Sequence, residues 1–308
     1  MNPKTIFKIL FTLALVGLVV VLAGPGNIVR AFRGAELLLI LLALPLTPVC
    51  IFFKAYRWHL LARSRIPGLG FPASFKSYMA GLTLAVITPI SAGELARGHH
   101  LDPRRGAELI GLVTVDKFLD LAAVGTYGCL GFIYLFPAPI KVLCALAILA
   151  MTAGWLFLRP AAGALQRLLR AAPESRLGRL LAAVKDVSIP LIFTCLSVAF
   201  INFAFYYLQV YLVVYAFAKH SVALGAIAFF PTITLSTIIP YAIGGLGVRE
   251  LTAALLLSRY GITQAAASSA FFAHFVIIMI LPGLVGALWV GRVALPSAGA
   301  EPGPDKET

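Results

Sequence analysis

Six long apolar runs, at residues 6–23, 35–53, 111–136, 142–158, 188–218 and 263–291, decide what this chain can become. Each approaches the roughly 20 residues that a helix needs to cross a bilayer, and only a helix satisfies its own backbone groups in hydrocarbon. Two further runs, 72–90 and 222–241, behave differently, because each meets a proline and a glycine-rich, charged turn before another helix-compatible stretch. The first turn reads Thr88-Pro89-Ile90-Ser91-Ala92-Gly93-Glu94-Leu95-Ala96-Arg97, the second Pro240-Tyr241-Ala242-Ile243-Gly244-Gly245-Leu246-Gly247-Val248-Arg249-Glu250. Only 12% of residues are charged, about half the ~25% of a soluble domain. The expected fold class is all-α: a polytopic helical membrane protein forming one domain over residues 1–295, with a disordered, cytoplasmic polar tail at 296–308.

Charge placement predicts how the runs thread. Basic residues gather at Lys4 and Lys8, at Lys54, Arg57, Arg63 and Arg65, at Arg104 and Arg105, and from Arg159 to Lys185. If 72–108 dips into the membrane and returns, all these groups share one face, and the positive-inside rule makes both termini cytoplasmic. Arg30 and Arg33 fall on the other side and count against it. The same reasoning makes 222–260 a hairpin entering from the opposite face. The expectation is about six spanning helices plus two re-entrant hairpins arranged as an inverted repeat. The basic, leucine-rich segment 160–187 suits either a helix along the headgroups or a solvated linker. A net charge of +13 raises the question of nucleic acid, but the cations lie in short inter-span segments with no nucleic-acid motif, so anionic lipid headgroups are the expected partner.

Ionisable residues at membrane depth cost about 2.5–3.5 kcal/mol each on insertion scales and so face protein, water or a ligand. Glu94 and Arg97, three apart at the tip of the first hairpin, are expected to share a helix face and pair. Arg97 offers a forked phosphate donor. Asp116, Lys117 and Asp120 open the run 111–136, where interfacial snorkelling is an alternative to a binding role. Arg249 and Glu250 follow the second turn as Glu94 and Arg97 follow the first, and Gly244, Gly245 and Gly247 allow a ligand close to the backbone. His274 suits a proton relay or a core histidine bonded to a neighbouring helix. Cys50, Cys129, Cys144 and Cys195 match no metal spacing and read as small buried hydrophobes. Neither a metal, a cofactor nor a catalytic set is expected, His99, His100 and Asp102 included.

At these residues the chain resembles the transmembrane, flippase-type region of lysylphosphatidylglycerol synthases and its stand-alone relatives. Arg57-Trp58 followed by Leu60-Leu61, Pro89 with Gly93-Glu94-Leu95-Ala96-Arg97, Asp116-Lys117-Phe118-Leu119-Asp120, and Gly244-Gly245-Leu246-Gly247-Val248-Arg249-Glu250 carry the likeness across most of 54–291. The family commonly has Glu-Arg where this chain has Asp116-Lys117, which keeps the charge signs but loses the fork. The resemblance implies a bacterial cytoplasmic membrane protein that transfers lipids between leaflets, with no aminoacyl-transferase domain and no enzymatic activity of its own. A lipid-modifying enzyme or a second copy are the partners it suggests. The expected substrate-binding set is Arg57, Glu94, Arg97, Asp116, Lys117, Asp120, Gly244, Gly245, Gly247, Arg249 and Glu250. The competing expectation is a membrane-embedded transferase, or a subunit of one, acting on lipid-linked sugars with Glu94 or Asp120 as general base.

Overall fold

A computed structural model describes residues 16–88, 92–170, 172, 174–219, 222–237 and 245–290, and every regular element among them is a helix. Helices α1 (Val16–Ala23) and α2 (Pro25–Gly34) meet at 81°. The bend falls at Gly24, whose φ of 78° suits glycine, and Pro25 opens the second helix where its missing N–H is not needed. The expected span 6–23 is therefore seen only in part, and what is seen ends in this bend. Helices α3 (Leu37–Ala43) and α4 (Leu46–Arg63) form one apolar stretch, Leu37–Arg63. It runs ten residues past the expected boundary at 53, because the polar residues beyond that point find partners inside the protein.

Helix α5 (Phe71–Ile87) is followed by the short α6 (Ala96–Leu101) and then by α7 (Gly106–Leu135), which joins a preceding 3-10 turn in the stretch Pro103–Leu135. Thus α7 starts well before the expected 111. Helix α8 (Ala138–Ala153) leads into α9 (Leu158–Leu168) and α10 (Arg176–Lys185). The segment 160–187 is therefore two helices. Helix α10 is docked on α7, where a Cβ on Gly111 would stand 2.6 Å from the Leu180 carbonyl oxygen. Helix α9 leaves Leu165 and Leu168 exposed beside Arg167. Helix α11 (Ile189–Ala218) is the long central element. After it come α12 (Leu224–Ala228), α13 (Phe230–Ser236), α14 (Val248–Leu257), α15 (Gln264–Phe275) and α16 (Leu281–Val290). A single π-helical turn, Val276–Ile280, joins the last two into the stretch Gln264–Val290. Among the described residues, five stretches are long and apolar enough to cross a membrane, or six if the bent α1–α2 pair counts as one.

Contacts at the helix ends fix the threading. Arg105, just before α7, donates to the backbone carbonyl of Arg65, just after α4. The α5–α6 excursion therefore begins and ends at the Arg63 end of α4, and Arg65 and Arg105 lie together, as charge placement predicts. At the other end of the α3–α4 stretch, just before α3, the Glu36 N–H donates to the Ala216 carbonyl at 3.0 Å. There α12 and the end of α14 also meet: a Cβ on Gly225 would lie 2.3 Å from the Tyr260 ring, which sits 5.9 Å from that of Phe229. So the α12–α14 excursion also begins and ends at one place.

Two apolar cores result. One gathers Val210, Phe217, Phe230, Leu257 and Phe271 around α11, α13, α14 and α15. The other gathers Trp58, Leu61, Leu109, Leu112, Leu119 and Ile192 around α4, α7 and the start of α11. Large apolar side chains on the perimeter, such as Leu143, Leu146 and Leu288, are more than half exposed, as a surface solvated by lipid tails requires. All four cysteines are free thiols.

Helix α16 lies against α5 through Gly283 and Gly286. The Thr83 hydroxyl donates to the Gly283 carbonyl at 2.7 Å, and a Cβ on Gly286 would stand 2.4 Å from the Met79 carbonyl oxygen. Small residues let helices approach in this way where lipid supplies no hydrophobic drive. Gly286→Ala is expected to destabilise the purified protein by about 1–3 kcal/mol through overpacking. Gly163→Ala, with open space around it, serves as the control in the same thermal unfolding series.

Candidate functional site

The site is assembled on Asp116. This α7 carboxylate is 2% exposed, and it accepts from the Arg57 Nε on α4 at 2.5 Å through Oδ1 and from the Arg97 Nη2 on α6 at 2.5 Å through Oδ2. One turn further along α7, Asp120 lies 2.7 Å from Arg57 Nη2 and 3.7 Å from Lys54 Nζ. Glu94, in the turn before α6, pairs with Lys117 and stands 4.0 Å from Arg97 Nη1. The pairing expected between Glu94 and Arg97 is thus the weaker of Arg97's two carboxylate contacts. Lys117 likewise turns to Glu94 rather than to Asp120, its neighbour along the helix. Side chains i and i+3 share a face, but the carboxylate that a buried guanidinium selects comes from whichever element packs against it.

Three features of local sequence hold Arg97 in place. Gly81 and Gly98 let α6 lie on α5 and α7: a Cβ on Gly81 would meet the Arg97 Cβ at 2.8 Å, and one on Gly98 would meet the Leu109 Cβ at 2.8 Å. The Ser77 hydroxyl donates to the Arg97 carbonyl at 2.6 Å and accepts from the Trp58 indole N–H at 3.3 Å. The guanidinium lies over the Trp58 ring at 4.6 Å, an arrangement that suits a weakly hydrated cation. Arg57 and Arg97 are each 1% exposed, whereas the side chains of Lys54 and Lys117 are 31% and 41% exposed and form the rim. Four cations thus face three carboxylates, leaving one positive charge in excess. Arg57 Nη1 and Arg97 Nε are buried donors with no acceptor among the described residues. Arg57 stands six residues from the end of α4, about 9 Å by helical rise. On α4 the cluster therefore lies toward one end, whereas Asp116 and Asp120 stand ten and fourteen residues into the 30-residue α7, close to its middle.

The second turn builds a smaller pair. Gly245 and Gly247 have φ of 72° and 85°, a region where side chains other than glycine are strained. Gly244 lies outside the described residues. Glu250 accepts from the Gly247 N–H at 2.7 Å and from Arg249 Nη2 at 2.8 Å, capping its own helix and neutralising its neighbour. The Arg249 guanidinium lies over the Phe275 ring at 4.8 Å. Phe275 falls near the middle of Gln264–Val290, so this pair sits near the mid-length of the last span.

No hydrogen bond or ion pair joins the two clusters among the described residues. Between them runs a strip of buried polar groups, which inspection of the charged residues alone had missed. On α11, Asn202 and Gln209 are 1% and 0% exposed, and Tyr206 shares their face. Gln209 donates to the Ala43 carbonyl and to the Thr47 hydroxyl, both at 2.8 Å. Thr47 in turn reaches the Ile277 carbonyl at 3.5 Å, inside the π-turn. Tyr206 meets the His274 ring edge-on at 4.9 Å. Both ring nitrogens of His274, both amide atoms of Asn202 and the Gln209 Oε1 lack partners among the described residues. The expected bond from His274 to a neighbouring helix is therefore not formed. Asn202 and Gln209 are the polar interruptions within the apolar run 188–218, which is the signal that could have found them. No group of three or more His, Cys, Asp or Glu side chains gathers for a metal among the described residues.

A helical, multi-pass membrane protein with a shared ionic knot and a polar strip inside its spans is the class these features define. The family model for the lysylphosphatidylglycerol synthase TM region matches residues 6–286, and the chain belongs to that family, a membrane domain linked to lipid modification and translocation. No match was found among curated proteins.

Asp116→Asn removes the carboxylate shared by two buried guanidiniums, leaving Arg57 to Asp120 and Arg97 to the more distant Glu94, and is expected to cost about 3–5 kcal/mol in thermal or denaturant unfolding. Lys117→Gln, at the half-open rim, is expected to cost less than about 1 kcal/mol. Similar losses for the two would remove Asp116 from the centre of the site.

Proposed function

We propose that this protein moves a lipid with an anionic headgroup between bilayer leaflets and performs no covalent chemistry on it. The observation that carries this reading is the unbalanced ionic knot: one excess cation and two orphaned guanidinium donors, Arg57 Nη1 and Arg97 Nε, inside the spans. An unpaired buried donor costs about 1–3 kcal/mol, a cost that a phosphate oxygen would offset. On this reading Arg57, Arg97, Lys54 and Lys117 receive the headgroup, Asp116, Asp120 and Glu94 hold the cations apart, and Arg249 with Glu250 marks the far station. Gly245 and Gly247 give the headgroup access to backbone at that station.

The two excursions are re-entrant hairpins entering from opposite faces, related as an inverted repeat about α4 and α11. Their ends meeting at opposite ends of the Leu37–Arg63 stretch, and the separate core in each half, support this arrangement. The strip of Asn202, Tyr206, Gln209, Thr47 and His274 is the path between stations. Its unpartnered atoms are those a passing headgroup or water would engage, while acyl chains stay in hydrocarbon. Rocking of one half against the other alternates access. Both termini face the cytoplasm of a bacterial cell, and a lipid-modifying enzyme supplies or consumes the cargo. The transferase alternative requires a free base, whereas Glu94 and Asp120 are each held by cations.

Purified protein in vesicles with one leaflet of labelled phosphatidylglycerol is expected to exchange it at least tenfold faster than protein-free vesicles. The absence of exchange across a panel of anionic lipids would overturn the reading. Asn202→Leu separates function from stability. Removing an amide with no partner should leave thermal stability unchanged or slightly raised, while exchange falls about tenfold. Full exchange in this variant would rule out the strip as the path.

A further inference from the structure

On the outer side of the ionic knot, α7, α8 and α13 enclose a groove of about 610 Å³ with an almost wholly apolar lining. Its α7 wall runs from Phe118 to Phe132, about 21 Å by helical rise, longer than the ~15 Å thickness of one leaflet's hydrocarbon. Gly125 and Gly154 open its floor. A Cβ on Gly125 would stand 2.7 Å from the Met151 sulfur, and one on Gly154 would meet nothing within 4 Å. The groove opens sideways toward lipid, since Phe118 and Leu121 at its upper rim are 54% and 42% exposed.

Its head end adjoins the ionic knot through consecutive residues of α7. Phe118 follows Lys117, and Leu121 follows Asp120 and lies one turn beyond Lys117 on the same side of the helix. Lys117 is the most exposed cation of the knot, at 41%. The same end carries Trp155, 7% exposed, whose indole N–H has no acceptor among the described residues. An apolar slot, an orphaned donor in its lining and a cationic rim just outside it match the acyl tail, ester linkage and headgroup charge of an anionic glycerolipid.

We infer that this groove binds one acyl chain of an anionic glycerolipid, with the headgroup phosphate at Lys117 and the ester oxygens near Trp155. This inference rests on the lipid-translocation reading for the knot and extends it: cargo enters laterally from the bilayer beside α7, tail first seated. The excess positive charge next to the slot favours an anionic amphiphile over a partner helix, which would bring apolar surface but no counter-charge.

The test uses the full chain in vesicles containing phosphatidylglycerol with a photoactivatable diazirine midway along one acyl chain, with adducts mapped by peptide mass spectrometry. The expected result is at least fivefold denser labelling on 118–132 and 151–155 than on Leu143 and Leu146, which are exposed on the same α8 helix. Gly154→Leu should cut groove labelling at least fivefold, and Gly163→Leu, which also enters open space, should not. Trp155→Phe keeps the ring, removes the donor and should lower labelling two- to fivefold. Phosphatidylcholine with the same chain should label less than a third as much. Even labelling along α7 and α8 of the unmodified protein, equal labelling by the neutral lipid, or protein–protein crosslinks in place of lipid adducts would overturn the inference. Groove labelling without leaflet exchange would sink translocation and leave the lipid site standing. Exchange without groove labelling would do the reverse.

Discussion

One carboxylate, Asp116, determines how half of this molecule packs. Arg57 comes from a spanning helix and Arg97 from a short helix that only dips into the bundle, and each places a guanidinium nitrogen 2.5 Å from a different oxygen of the same acid. Desolvating either guanidinium alone would cost several kcal/mol, and that cost is recovered only when α4, α6 and α7 meet in one register. The glycines at 81, 93 and 98 follow from the same requirement: at each of them a Cβ would stand closer than 3.0 Å to a neighbouring segment. Close packing and charge satisfaction here are a single constraint expressed twice.

The other half of the molecule is satisfied differently. Glu250 caps the helix that carries it and pairs with the residue beside it, so the second turn is electrically closed without help from distant elements. Arg249 Nε stays without a hydrogen-bond partner among the described residues, as do a buried amide and a buried imidazole on the strip along α11 that leads to it. The π-turn at Val276–Ile280 follows directly after that histidine's helix. Such turns leave backbone carbonyls less committed to their own helix and recur at functional positions. One carbonyl of this turn, that of Ile277, accepts from Thr47 on α4. The contrast between a tightly tied knot and an under-satisfied strip is the asymmetry that the proposed translocation would use: a place to hold charge and a place to let it pass.

Much of this was legible in the sequence, and the failures share one cause. The apolar runs named five stretches that recur in the fold as long helices, and the proline-glycine breaks marked both short-helix excursions. Arg65 and Arg105 were placed on one face by charge alone, and they touch. Partners were not legible. Spacing coupled Glu94 to Arg97, whereas packing gave Arg97 to Asp116 and Lys117 to Glu94. Lys54 was read as part of an interfacial basic group, although its helix continues to Arg63 and turns it toward Asp120. Local spacing reports which side chains share a face. It does not report which other face arrives, and buried ion pairs are decided by the latter.

The Asp116-Lys117 pair, where relatives commonly carry Glu-Arg, makes structural sense on these terms. The acid bridges two guanidiniums within one tight junction, and a carboxylate on a short side chain fixes their separation more narrowly than a longer one would. The neighbouring base points outward to a rim where its side chain is 41% exposed and its partner is a single glutamate. A forked donor is of most use where both prongs can be held in plane, as they are for Arg57 between Asp116 and Asp120. At a half-open rim a compact, mobile ammonium does the same electrostatic work without a fixed approach angle. On the proposed reading, a lysine at 117 would keep charge selection while relaxing the geometry demanded of a headgroup, and the directional donors would be the buried nitrogens of Arg57 and Arg97.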